Sequence, residues 1–119
     1  MENRRGKLVV IQIMGTKKCS ETKKAIRFFK ERRIEPHFRD LNEKELSPGE
    51  FENISNKIGI DNLLDTDGKA YKDKGLEYMV FDIKEEILAN NNLIRTPIVR
   101  YERNVTCGYE PNEWKNWVK

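Results

Sequence analysis

Val9-Val10-Ile11-Gln12-Ile13-Met14-Gly15-Thr16-Lys17-Lys18-Cys19-Ser20-Glu21-Thr22-Lys23-Lys24-Ala25-Ile26 reads as an apolar strand, a short glycine-containing loop and the opening turns of a basic helix. The spacing places Cys19 at the helix start. Unpaired backbone N–H groups and the positive end of the helix dipole stabilise a thiolate there. Lys17, Lys18, Lys23 and Lys24 add positive charge around the sulfur. The thiolate is the nucleophilic form, so the stretch points to a reactive cysteine. The competing reading is a structural thiol, because free cysteine is among the most buried residue types.

Outward from this stretch, Leu8–Met14 carries the pattern of a central buried strand. Cys19 or Ser20 to Ile34 reads as a helix with Ala25, Ile26, Phe28 and Phe29 on its apolar face. His37–Leu41 reads as a second strand. Ser47-Pro48-Gly49-Glu50 carries a capping serine, a first-turn proline and a glutamate at the third position, predicting a helix to about Ile58 that Gly59 ends. Ile60–Leu76 reads as one or two short helices broken at Asp67-Gly68, Ile83–Ala89 as a further helix, and Asn90-Asn91-Asn92 as a loop. Ile98–Tyr101 and Asn104–Cys107 read as a hairpin joined by Glu102-Arg103, with Asn104 suited to a left-handed turn conformation. Pro111 opens a last helix whose Trp114, Trp117 and Val118 pack on the sheet.

A helix between the first two strands makes them parallel. The late hairpin supplies antiparallel partners. The expected fold is therefore α/β: a thioredoxin-like, glutaredoxin-like mixed four-stranded sheet with helices on both faces. An all-helical insert, at about residues 47–92, separates strands 2 and 3 within one domain spanning 1–119.

Composition narrows the function classes. The chain has 119 residues, 23 basic and 20 acidic, for a net charge of +3. That excess is too small to argue for direct nucleic-acid binding. Two cysteines make neither a disulfide framework nor a four-thiolate zinc site. The one histidine, His37, has no partner at ligand spacing, so no metal site is expected. The segment Met1-Glu2-Asn3-Arg4-Arg5 lacks a signal-peptide pattern, and no apolar run approaches the roughly 20 residues of a membrane span. The expectation is a cytoplasmic monomer with its thiols reduced.

Four segments together resemble the arsenate reductase (ArsC)/Spx family over nearly the whole chain. They are the strand, loop and Cys19; Leu63-Leu64 followed by Ala70-Tyr71-Lys72-Asp73-Lys74-Gly75-Leu76; Leu93-Ile94-Arg95-Thr96-Pro97-Ile98-Val99; and the hairpin with Cys107-Gly108 and the Pro111 helix. The resemblance implies a thioredoxin fold, Cys19 as the attacking sulfur and a cis bond before Pro97, whose preceding residue Thr96 offers backbone groups to a bound peptide or glutathione. Spx-like switches carry Cys-x-x-Cys, whereas here Cys19-Ser20-Glu21-Thr22 is monothiol. Reductases of the family place arginines around the sulfur to hold the oxyanion. At those positions this chain has Asp65, Thr96 (with Arg95 displaced by one) and Gly108.

The expected function is accordingly a monothiol thiol–disulfide oxidoreductase. Cys19 is its nucleophile; Lys18, Thr22, Lys23, Arg95, Thr96 and Pro97 support it. No cofactor is bound; the co-substrate is glutathione, or a protein thiol or disulfide. Cys107 is either a buried strand-end thiol or a second, resolving thiol, which requires Cα atoms within about 7 Å. The alternative is an Spx-like, non-catalytic regulator that binds a transcription component. A true arsenate reductase with a rewired anion site ranks third.

Overall fold

The computed structural model describes residues 10–118, so the Leu8–Val9 end of the first expected strand lies outside the described residues. The sheet is formed by β1 (Gln12–Gly15), β2 (His37–Asp40), β3 (Ile98–Tyr101) and β4 (Asn104–Cys107), in the order β2-β1-β3-β4. β1 runs parallel to β2 and antiparallel to β3, and β3 and β4 form the expected hairpin. The helices are α1 (Ser20–Glu31), α2 (Pro48–Ile58), α3 (Ile60–Leu63), α4 (Lys69–Lys74), α5 (Ile83–Ala89) and α6 (Pro111–Trp117). This is the mixed four-stranded α/β arrangement that the sequence implies.

Two compact units divide the chain. Among the described residues, one comprises 10–40 together with 96–118, and the other is Leu41–Arg95. The sheet, α1 and α6 belong to the first. The expected helical insert falls in the second.

In the sheet unit, alternation along β1 and β3 turns Ile11, Ile13 and Val99 toward α1 and α6. They pack with Ala25, Phe28, Phe29 and Ile34, and with Trp114, which is fully buried. The Trp114 ring lies 5.3 Å from Phe28 and 5.4 Å from Phe29. Its indole N–H donates to Thr106 Oγ1 at 2.8 Å, so the ring is buried with its one polar group satisfied. Trp117 and Val118 pack at the edge of this cluster, as expected of the last helix. Met14 and Ile98, on the opposite face of the sheet, are also fully buried.

Three local expectations need correction. α1 ends at Glu31 rather than Ile34. Arg33 takes φ 60°, its N–H donates to Lys30 O at 3.0 Å, and the Ile34 N–H donates to Phe29 O at 2.9 Å. This is a Schellman ending with arginine in the left-handed position usually held by glycine, fixed because Ile34 and Phe29 share the core. In the hairpin, the left-handed residue is Glu102 (φ 54°), and Asn104 belongs to β4. Finally, Asn91–Leu93 is a 3-10 turn rather than open loop. Asn91 is buried there, donates its amide to Ile87 O at 2.9 Å and accepts from the Leu46 N–H at 2.8 Å.

In the second unit, α2 starts as its sequence dictates. Ser47 accepts from the Glu50 N–H, the Glu50 carboxylate accepts from the Ser47 N–H, and Pro48 fills the first helical position. An antiparallel bridge pairs Leu64 with Ile94, flanked by Asp65 N–H to Leu93 O at 2.8 Å and Arg95 N–H to Leu63 O at 2.7 Å. Two of the segments quoted above thus lie side by side.

Candidate functional site

β1 delivers the chain to the site. The Cys19 N–H donates to Thr16 O at 3.2 Å, closing a turn over Lys17 and Lys18. Cys19 then occupies the N-cap of α1 with extended backbone (φ −74°, ψ 116°), and no side chain caps the helix. Its carbonyl accepts the Lys23 N–H at 3.2 Å, the first bond of the helix. The sulfur therefore stands beside the open N-terminal turn of a 12-residue helix.

Thr96 reaches the same sulfur from the start of the β3 segment. Its hydroxyl donates to Cys19 Sγ at 3.0 Å, and Sγ lies 3.7 Å from Thr96 O. The Thr96–Pro97 bond is cis. Pro97 is buried, and its carbonyl accepts the Gly108 N–H at 2.8 Å, tying this corner to the end of β4. Gly108 sits at φ +86°, a conformation that favours glycine. Cys19 is partly buried, and both cysteines are free.

The remaining expected residues fall into three groups. Thr22 is buried behind the site, where it packs on Gly15; a Cβ on Gly15 would overlap Thr22 Oγ1 and lie 2.8 Å from Cγ2. The Thr22 hydroxyl has no hydrogen-bond partner among the described residues. Lys18 and Lys23 are exposed. Arg95 is exposed and belongs to the other unit. Cys107 is partly buried at the end of β4, opposite Ile98 in the ladder.

Two features were not expected. The first is the Thr96 hydroxyl as a direct donor to sulfur; the family pattern suggested only its backbone. The second is Asp40, buried at the end of β2 opposite Gly15, whose carboxylate lies 4.0 Å from Lys17 Nζ. That pairing engages one of the lysines expected to act on the thiol. No sequence signal marks either contact, because each depends on sheet register.

No group of His, Cys, Asp and Glu among the described residues is placed to hold a metal ion. No described helix is long and apolar enough to cross a membrane. A hydrogen-bond donor and a helix N-terminus beside a partly exposed sulfur are groups that can stabilise a thiolate.

The fold has close counterparts. A YffB protein superposes with a TM-score of 0.80 at 18% identity, covering 92% of this chain and 99% of its own. An ArsC family related protein from Bacteroides fragilis gives 0.77 at 24% identity over 89% and 95% of the two chains. An arsenate reductase from Vibrio cholerae gives 0.77 at 17% identity over 92% and 98%. At such identities these likenesses speak to fold. No curated protein sequence matches significantly. The ArsC family model matches residues 14–117, from β1 to the last helix, and the chain belongs to the ArsC family.

Proposed function

We propose that this ArsC family chain is a cytoplasmic, monomeric, monothiol thiol–disulfide oxidoreductase with Cys19 as nucleophile and glutathione as co-substrate. The observation that carries the reading is the Thr96 hydroxyl donating to Cys19 Sγ at an uncapped helix N-terminus. A donor and open N–H groups stabilise negative charge developing on sulfur. The hydroxyl also fixes the sulfur's direction.

In the first step the Cys19 thiolate attacks the glutathione sulfur of a glutathionylated protein. The Cys19–glutathione disulfide forms as the protein's disulfide breaks, and the protein thiolate leaves and takes a proton. A second glutathione thiolate then attacks that mixed disulfide. Glutathione disulfide departs and the Cys19 thiolate returns, so one free glutathione is consumed for each mixed disulfide reduced and leaves joined to the glutathione taken from the protein. Exposed Lys18 and Lys23 flank the entry with charge opposite to that of glutathione's carboxylates. The residue at the resolving position, Thr22, has no thiol, so the resolving sulfur comes from outside.

Arsenate reduction is not favoured. A tetrahedral oxyanion calls for several cationic donors, and the donor at this sulfur is a neutral hydroxyl. The test is reduction of a glutathionylated peptide by glutathione. Turnover is expected from the parent chain and from Cys107→Ser, and none from Cys19→Ser. Turnover that survives Cys19→Ser would overturn the reading. So would an inert parent chain that instead recovers a transcription component on pull-down.

A further inference from the structure

A second surface feature lies on the sheet unit, along α1 rather than at its start. Lys24, Arg27, Phe28, Glu31 and Arg32 follow one another at helical spacing and so share one face of α1. Tyr109, Pro111 and Lys115 complete a groove of about 510 Å³ with them. Its lining carries four cations (Lys24, Arg27, Arg32 and Lys115) against one carboxylate, Glu31. No ion pair among the described residues engages any of the four cations.

The cations are arranged over rings. The Arg32 guanidinium stacks 3.6 Å from the Phe28 ring centre and donates to Phe28 O at 3.1 Å. Lys24 Nζ lies 5.9 Å from the centre of the Tyr109 ring. Tyr109 itself is 41% exposed while its ring packs edge-on against Trp114 at 5.5 Å. The groove therefore offers a rigid aromatic floor with positive charge held at its rim. A cation already seated on a ring loses less freedom on meeting an anion than a free surface side chain.

We infer that this groove binds an acidic, extended protein segment bearing an aromatic or apolar residue. Discrete carboxylates suit the arrangement because the cations are separate and two of them are planar guanidinium forks. A continuous polyanion suits it less. Glu31 stands inside the groove, Glu110 and Glu113 lie on the segment that forms its other wall, and the whole chain carries only +3. The apolar residue of the segment would rest on Tyr109. Lys24 is the one groove residue that the sequence also counts among the lysines near Cys19; the other lining residues have no part in the thiol chemistry.

The experiment uses the full chain and a short fluorescein-labelled peptide alternating Glu with Phe, read by anisotropy at low salt. Saturable binding is expected, weakening as salt rises. Replacing each Glu by Gln should weaken it at least about tenfold, as should the pair Arg27→Glu and Lys115→Glu. Both side chains are exposed, so that variant should fold, which circular dichroism checks. Tyr109→Ser should weaken binding by a few-fold. Cys19→Ser should bind as the parent does, which separates this site from the thiol reaction. Equal binding of the Gln peptide, insensitivity to the Arg27/Lys115 reversal, or tighter binding of a single-stranded oligonucleotide or of anionic vesicles would each overturn the inference.

Discussion

Two helices of nearly equal length begin in opposite ways. α2 starts with every available device: Ser47 and Glu50 cap each other's backbone, and Pro48 stands at the first helical position. α1 starts with Cys19 at the N-cap and no side-chain cap. A cap is worth about 1 kcal/mol to a helix. α1 forgoes it and is held by packing instead: Ala25, Phe28 and Phe29 are buried against the sheet, and Thr22 is wedged on Gly15. The contrast separates a helix start closed by its own side chains from one whose N-cap sulfur and first turn no side chain caps.

The largest effect should come from the packing that replaces the cap. Gly15→Ala drives a methyl into buried Thr22 and should destabilise the protein by about 1–3 kcal/mol in urea unfolding. Thr22→Ala in the same chain removes the overlapping atoms and should recover much of that loss. Simple additivity of the two changes would break the claim that they are one contact.

Ser47→Ala should cost about 1 kcal/mol, because it removes the side chain that accepts the Glu50 N–H. At the other start the sign should reverse. Cys19→Ser places a strong N-cap residue where none acts and should raise stability by up to about 1 kcal/mol, while abolishing thiol exchange. A destabilised Cys19→Ser would mean that α1 is not open in the sense argued. The smallest effect belongs to the far end of α1. Arg33→Gly relieves a left-handed non-glycine residue (φ 60°) and should gain a few tenths to about 1 kcal/mol, glycine's greater unfolded-state entropy offsetting part of the relief. A loss on that substitution would show that the Arg33 side chain has a role the backbone does not reveal.

The same contrast explains what the sequence made legible. Ser47-Pro48-Gly49-Glu50 announces α2 because its capping groups are adjacent in the chain. The strands, their relative directions and the α6 tryptophans were legible from period and from chain order. Cys19 and Pro97 were legible because short motifs carry them. What escaped were features decided at a distance. The Schellman end at Arg33 has no glycine to mark it, and it is fixed by Ile34 and Phe29 meeting in the core. The left-handed hairpin residue is Glu102 rather than Asn104, because the ladder pairs Asn104 with Tyr101. Asn91 reads as loop chemistry in a run of asparagines, yet it joins Leu46 to Ile87 from the interior. The Thr96 hydroxyl meets Cys19 across 77 residues of sequence, a contact that only the β1–β3 pairing creates.

The central claim is that the setting of Cys19, and not its mere presence, makes it the working thiol. The most direct measurement is the iodoacetamide alkylation rate of each cysteine in the native chain at neutral pH, resolved by mass spectrometry, with Thr96→Val alongside. Cys19 should react faster than Cys107, and Thr96→Val should slow Cys19 several-fold while leaving Cys107 unchanged. Cys19 reacting no faster than Cys107, or indifferent to the loss of the Thr96 hydroxyl, would contradict the account.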